Sequence, residues 1–247
     1  MERFKMDLFK KSLTIVLIWG LNLIPSLALS SSTGPNTGIK NAIHSLTLDA
    51  TKAPQELAKA KKLNPFRVTL FGASRIKQDH PASQAAYKLA QQLAKDHISI
   101  ITGGSSGIMQ AGNCGAASIK SDQINSLGVT KSNLEVNKCI QKELQFDSFA
   151  IRKSFLMQLS NAYVFFPGGY GTLDELGEVL SLIQEHELAP GPVILFGKAY
   201  WQPLMDWLRE KVFPEKLVAQ EYQDIITITD SVETVRQIIL AHKKQLK

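Results

Sequence analysis

One segment of the chain combines a glycine-rich turn with a carboxylate. Residues 167–172 read Pro-Gly-Gly-Tyr-Gly-Thr, and Glu175 follows three residues later. An apolar run over 162–166 precedes the turn and helical periodicity follows it, a pattern typical of a buried strand, a tight turn and a helix. The free backbone N–H groups and the positive helix end of such a unit bind anions. We therefore predict a phosphate site with Glu175 on its rim.

The residue types within the turn support a binding role. Gly168, Gly169 and Gly171 allow positive φ angles and a close approach of phosphate to the backbone, and Thr172 adds a hydroxyl donor. A glycine turn that only connects two packed elements is the alternative. The complete pattern, with an acid three residues after the threonine, favours the binding site.

Two adjacent cations, Arg152 and Lys153, precede this strand. Successive residues of a helix point in different directions, so at most one of the two enters the site directly. The planar guanidinium matches phosphate or carboxylate geometry, which makes Arg152 the preferred ligand. A solvated helix face is the alternative, but apolar neighbours such as Phe149 and Phe155 argue against it.

Strand-like and helical segments alternate from Arg67 onward, which predicts a single α/β domain, doubly wound around a mainly parallel sheet. Strands are expected at 68–71, 98–102, 124–129, 162–166, 193–196 and 225–228. Helices are expected at 83–95, from 108, at 149–160, from 173, at 202–211 and from 231. A long polar connection is expected after Val129. Three glycine turns, after Phe71, Thr102 and Phe166, should meet at the carboxyl edge of the sheet, where open α/β sheets bind ligands.

The first thirty residues differ in character from the rest. A charged start leads into an apolar run over 13–24 and then small residues at Ala28 and Ser30, which predicts a signal peptide over 1–30. An uncleaved N-terminal anchor is the alternative. Residues 31–64 are predicted to be a linker and helical lead-in, and 65–247 the α/β domain. A used signal would export the protein to the periplasm or medium; the alternatives are a membrane-anchored or a cytoplasmic protein.

Charge and cysteine content restrict the choice of partners. The net charge of +6 suits an anionic small molecule as well as nucleic acid. Outside the two ends of the chain no basic groove with interleaved aromatics is visible, so we expect no nucleic-acid partner. Cys114 and Cys139 could pair in an exported protein, but Cys114 is predicted to be a buried core thiol. The five histidines are scattered, and we predict no metal site.

The motifs taken together resemble one family. Gly103-Gly104 with Gly107-Ile108-Met109, the Arg152-Lys153 pair and the Pro-Gly-Gly-Tyr-Gly-Thr turn with Glu175 are similar to the LOG (Lonely Guy) proteins, formerly labelled lysine decarboxylases. The C-terminal part, including residues 192–197, 200–201 and 226–230, resembles the larger bacterial branch of that family. The resemblance extends over about Arg67 to Ile239.

The resemblance implies a Rossmann-like domain that forms a homodimer or higher homo-oligomer and needs no cofactor. It implies hydrolysis of the N-glycosidic bond of a purine nucleoside 5′-monophosphate, AMP or a cytokinin-like nucleotide, to the free base and ribose 5-phosphate. Arg152 and Glu175 match the catalytic residues. The expected substrate-binding residues are Ser74, Gly103, Gly104, Lys153, Gly168, Gly169, Gly171 and Thr172.

The second turn departs from the family pattern. Ser105-Ser106 replaces the usual glycine–proline pair, and Gln110 stands where the larger branch usually has a glutamate. These changes favour an alternative function, a non-catalytic nucleotide-binding or sensing module of the same fold. The retained Arg152 and Glu175 favour the hydrolase. Amino-acid decarboxylation is rejected because no lysine has a convincing pyridoxal-binding context.

Overall fold

The computed structural model describes residues 36–59 and 64–246. The predicted signal peptide or anchor, residues 1–30, lies outside these ranges. Within them, no helix has both the length and the apolar character that a membrane span requires.

Seven parallel strands form one sheet at the centre of the domain. They are β1 (Arg67–Phe71), β2 (Ser99–Thr102), β3 (Ser126–Lys131), β4 (Lys142–Phe146), β5 (Ala162–Phe165), β6 (Val193–Phe196) and β7 (Ile226–Thr229). Their order in the sheet is β4-β3-β2-β1-β5-β6-β7, and every neighbouring pair is parallel. Strands β2, β3 and β4 follow one another on one side of β1, and β5, β6 and β7 follow one another on its other side. This change of side between β1 and β5 confirms the predicted doubly wound α/β class.

Helices cover both faces of this sheet. The α-helices of the described ranges are α1 (Asn36–Lys59), α2 (Pro81–Lys95), α3 (Ile108–Ala117), α4 (Phe149–Gln158), α5 (Tyr170–Gln184), α6 (Lys198–Trp207) and α7 (Val232–Gln245). A π-helical turn, Leu208–Val212, continues α6, and a short 3-10 turn spans Gln220–Tyr222. The helix predicted at 202–211 begins at Lys198, four residues earlier than expected.

The sheet separates two apolar cores, because successive side chains of each strand point to opposite faces. Leu70 and Val164 belong to the core under α2, α3 and α7, whereas Phe71 and Phe165 belong to the core under α4, α5 and α6. Phe71 and Phe165 are register partners on β1 and β5, and their rings stack with centroids 4.7 Å apart. Since both faces are buried, these strands read in the sequence as continuous apolar runs.

Strand β4 was missed by the sequence analysis, which expected a polar connection there. The strand reads Lys-Glu-Leu-Gln-Phe, and only Leu144 and Phe146 are fully buried. Among the described strands it lies at the edge of the sheet, with β3 as its one neighbour. Edge strands keep charged side chains, which removes the apolar run that identifies a central strand.

The prediction of a buried thiol at Cys114 was wrong. Cys114 on α3 forms a disulfide with Cys139, and the two Cα atoms lie 4.8 Å apart. Helical periodicity placed Cys114 correctly on a helix, but it carries no information about the loop before β4 that folds back over α3.

This disulfide is expected to stabilise the domain. It closes a segment of 25 residues, for which the loss of unfolded-state entropy is about 3 kcal/mol. Dithiothreitol should lower the free energy of urea unfolding by about that amount. A Cys114→Ser/Cys139→Ser variant is the control, because it should match the reduced protein and ignore the reductant. An unchanged urea midpoint in wild-type protein shown by mass spectrometry to be reduced would contradict this expectation.

Candidate functional site

Three glycine turns meet where the sheet reverses direction, and the turn after β1 joins the other two. The N–H of Ala73 donates to the carbonyl of Pro167 over 3.1 Å, and the carbonyl of Ala73 accepts from the N–H of Ile108, also over 3.1 Å. Ser106 Oγ adds a bond to the carbonyl of Ser74 at 2.8 Å. The predicted convergence of the three turns is therefore present, and hydrogen bonds hold it together.

A cavity of about 470 Å³ opens between the turns, a size that ordinary small-molecule sites share. It is lined by residues from the carboxyl end of a strand, all three turns and the helices α3, α4 and α5. They are Leu70, Phe71, Gly72, Ala73, Ser74, Arg75, Gly103, Met109, Arg152, Gly169, Tyr170, Gly171, Thr172 and Glu175.

The Pro-Gly-Gly turn presents an open wall to this cavity. A Cβ placed on Gly169 or Gly171 would meet nothing within 4 Å, so a ligand has room to reach the backbone there. Gly169 is the N-cap of α5 and supplies no side-chain cap, which leaves the first N–H groups of the helix for a ligand. Gly168 lies behind this wall, where a Cβ would lie 2.1 Å from Thr172 Oγ1, and its carbonyl accepts a hydrogen bond from Tyr200.

Arg152 enters the cavity from α4 with its guanidinium already anchored. Nε donates to the carbonyl of Val129 over 2.8 Å, and Nη2 donates to the carbonyl of Gly103 over 3.0 Å. Burial lowers the pKa of Arg152, and the charge of Glu175 opposes that shift. A Cβ at Gly103 would lie 2.1 Å from Nη2, so only glycine leaves space for the guanidinium here.

Glu175 faces the same cavity from the second turn of α5. Burial raises the pKa of its carboxyl to about 7, although Arg152 pulls in the opposite direction. A carboxylate whose pKa lies near neutrality can exchange a proton with water or substrate at physiological pH. The structure thus brings together the two residues that the resemblance marks as catalytic.

Three of the predicted binding residues, Gly104, Lys153 and Gly168, do not line the cavity. Lys153 Nζ is held by Asp174 at 2.8 Å and by Glu178 at 2.6 Å, on the outer side of α5. The backbone of Gly104 is tied to the loop before β4, because its carbonyl accepts from the N–H of Asn137 at 2.9 Å. Consecutive helix positions diverge as expected, and Arg152 is the one that reaches the site.

Sequence reasoning missed Arg75 and Asn137. Arg75 directly follows Ser74 in the first turn and lines the cavity, and within the described ranges no carboxylate pairs with it. Its signal was a cation beside a glycine turn. Asn137 Nδ2 lies 3.0 Å from the carbonyls of Gly104 and Ser105 and braces the second turn from behind. Nothing in the local sequence marks Asn137, because its partners are about 30 residues away.

No three His, Cys, Asp or Glu side chains are grouped as metal ligands in ranges 36–59 and 64–246. Among the described residues that line the cavity, none is a lysine. Two arginines and one glutamate are its charged side chains.

A family model described as "possible lysine decarboxylase" matches residues 103–239, more than half of the chain. The chain belongs to this family, the LOG family. The matched range begins at the second glycine turn and contains both Arg152 and Glu175. The first turn and helix α1 lie outside it.

Curated relatives of this LOG-family protein are enzymes of one kind. A cytokinin riboside 5′-monophosphate phosphoribohydrolase of Arabidopsis thaliana is 27% identical over 188 residues, covering 72% of this chain and 78% of the relative. A probable enzyme of the same name from Oryza sativa is 26% identical over 194 residues, covering 72% and 75%. These relationships support a glycosidase-type enzyme at the level of the family.

Solved structures share the fold at lower identity. A structural genomics target is 21% identical with a TM-score of 0.55, covering 71% of this chain and 99% of that one. A molybdenum cofactor carrier protein of Chlamydomonas reinhardtii is 18% identical with a TM-score of 0.53, covering 71% and 98%. At these identities the likeness establishes the fold alone.

The raised pKa of Glu175 predicts a pH-dependent effect on stability. Between pH 4.5 and about 7 the folded protein holds a proton that the unfolded chain releases, so this residue contributes less stability as pH rises. Glu175→Gln should therefore raise the free energy of urea unfolding by about 1 to 3 kcal/mol at pH 8 and change it little at pH 4.

The exposed Glu185, at the other end of α5, offers a matched control. Glu185→Gln should leave the stability at pH 8 within about 0.5 kcal/mol of wild type. Equal effects of both substitutions at pH 8 would show that the burial of Glu175 does not penalise its charge.

Proposed function

We propose that this LOG-family protein hydrolyses the N-glycosidic bond of a purine nucleoside 5′-monophosphate, AMP or a cytokinin-like nucleotide. The products are the free base and ribose 5-phosphate. The observation that carries this proposal is the placement of Glu175, with a pKa of about 7, beside the anchored Arg152 in one cavity whose wall is an open glycine turn.

The phosphate of the substrate fits the start of α5. The backbone N–H groups near Gly169 and Gly171 are unobstructed, and the helix end favours a dianion. The phosphate group lies away from the bond that is cleaved. Its binding energy is used to hold the sugar over Glu175 in the orientation that the reaction requires.

Cleavage of the bond between C1′ and the base nitrogen leaves positive charge on the sugar. The ionised carboxylate of Glu175 stabilises that charge and accepts a proton from the water that attacks C1′. Two of the five N–H donors of Arg152 are used by carbonyls, and in this proposal the remaining donors offset the negative charge that develops on the departing base. The departing base nitrogen takes one proton from solvent and Glu175 later returns to solvent the proton it took from water, so that water supplies the hydroxyl on C1′ and, in net terms, the hydrogen of the free base.

Arg75 provides the charge partner for the substrate phosphate in this proposal. Arg152 is bound to two carbonyls and Lys153 to two carboxylates, whereas Arg75 lines the cavity with its guanidinium unengaged by the described carboxylates. An arginine fork adds charge-assisted hydrogen bonds to the N–H groups of the turn.

A non-catalytic nucleotide-binding module remains the second candidate. It is favoured by the altered second turn, Ser105-Ser106, and by Gln110. Gln110 does not line the cavity, so its difference from the family pattern does not alter the cavity wall. Glu175 does line the cavity, and nucleotide binding alone would not require this carboxylate. These two observations support the hydrolase over the binding module.

Self-assembly and export are proposed on separate grounds. An exposed apolar stripe along α5, Tyr170, Leu173 and Gly177, supports the proposed homodimer, because residues three and four apart share a helix face. The disulfide between Cys114 and Cys139 supports export, since such bonds persist in oxidising compartments.

Release of free base from a panel of nucleoside monophosphates tests the proposed reaction. We expect wild-type protein to release adenine from AMP. Glu175→Gln should lower kcat by at least about a hundredfold, because the variant cannot accept the proton of the attacking water. The rate should rise with pH through about 7 as Glu175 ionises. Glu185→Gln should retain wild-type turnover. Tight AMP binding without release of base by wild-type protein would support the binding module instead.

The role of Arg75 can be tested against a neighbouring cation. Arg75→Gln should raise KM for AMP by about tenfold to a hundredfold with a smaller change in kcat, because it removes charge-assisted contacts to a group distant from the reaction. Lys77→Gln removes one charge nearby without touching the cavity and should change KM less than about twofold. An equal rise in KM for both variants would indicate long-range attraction rather than a contact.

A further inference from the structure

Helix α1, which precedes the α/β domain, contributes a buried carboxylate to the helix that carries Arg152. Asp49 is fully buried, and its two oxygens each accept from the N–H of Asp147 at 2.9 Å. Oδ2 also accepts from the N–H of Ser148 at 2.5 Å. A buried carboxylate held by backbone donors ties two segments of the chain that are almost 100 residues apart.

These donors lie at the start of α4. Ser148 is the N-cap of α4, and its own side chain makes no capping hydrogen bond. Asp49 does not bind the N–H groups of the first turn itself; it fixes the N-cap residue Ser148 and the residue before it, at the helix end where the dipole favours an anion.

Arg152 belongs to that first turn. Its backbone N–H donates to the carbonyl of Ser148 over 3.1 Å, so Ser148 is bound by Asp49 on one side and by Arg152 on the other. From this position on α4 the guanidinium donates to the carbonyls of Val129 and Gly103. A displacement at Ser148 is transmitted directly to the group that lines the cavity.

Two further contacts hold α1 against the same segment. Lys52 Nζ binds Asp147 at 2.9 Å, and Glu56 Oε2 accepts from the N–H of Gln145 at 3.3 Å. Glu56 contacts the edge strand β4, whereas Asp49 contacts the start of α4. Glu56 therefore supports the edge of the sheet, whereas Asp49 supports the helix that carries Arg152.

We propose that Asp49 is a positioning residue that sets the placement of Arg152 in the cavity. Its importance for turnover rests on the proposed function, but its effect on the guanidinium does not. Helix α1 is in this respect part of the site, although it lies outside the range matched by the family model.

The test uses the full-length chain and two readouts. The first is kcat and KM for AMP. Asp49→Asn keeps an acceptor but loses the charge, and it should lower kcat by about tenfold to a hundredfold with KM within about twofold, since the phosphate anchor at Gly169 is untouched. The matched Glu56→Gln should leave kcat within about twofold of wild type.

The second readout is hydrogen exchange at the Arg152 Nε–H, followed by nitrogen-15 NMR and assigned with Arg152→Lys. Asp49→Asn should accelerate this exchange by about tenfold or more, and Lys52→Met, at a partly exposed side chain, by about twofold to fivefold. Glu56→Gln should leave it unchanged.

The outcomes separate the two proposals. Unchanged exchange at Arg152 in both Asp49→Asn and Lys52→Met would overturn the positioning role, whatever the activity. Equal effects of Asp49→Asn and Glu56→Gln on both readouts would also overturn it, because they would reveal general support of the fold. If wild-type protein releases no base, the hydrolase proposal fails, and accelerated exchange in Asp49→Asn would still support the positioning role. If Asp49→Asn does not fold, Lys52→Met decides.

Discussion

The site depends on two hydrogen bonds made by one residue, Ala73. Strands β1, β2 and β5 end at the same edge, but their helices leave in opposite directions, and a gap opens where the sheet reverses. The N–H of Ala73 spans to Pro167 and its carbonyl spans to Ile108, so the two sides of the gap are joined. The cavity is the space that remains once these bonds are made, and every proposed role requires that the three turns keep this spacing.

Burial then decides the electrostatics of the cavity. Both charges lose solvation, which lowers the pKa of Arg152 and raises that of Glu175. The guanidinium keeps its charge because two carbonyls replace water. Glu175 has no equivalent backbone donors among its described contacts, so its carboxyl titrates near neutrality. A fixed cation beside a titrating acid suits chemistry in which charge develops on a sugar and its departing base.

Support for these groups comes from segments that are distant in the chain. Asp49 secures the start of α4, Asn137 braces the second turn, and the disulfide at Cys139 fastens the loop that carries Asn137 to α3. Each support acts on backbone rather than on the reacting side chains. Such an arrangement lets the loops that form the cavity stay short and rich in glycine without losing their geometry.

Local sequence patterns predicted the fold class and six of the seven described strands, and they marked Arg152 and Glu175 separately as candidate site residues. These features are local: apolar runs, helical periodicity and a glycine turn depend on neighbours within a few residues. The folded domain was needed to show that β4 is an edge strand, that Cys114 and Cys139 pair, and that Lys153 turns away to Asp174 and Glu178. It also decided the pKa of Glu175 and the contact of Asp49 with α4. Burial and contacts between distant segments exist only after the chain has folded, so no local pattern of residues encodes them.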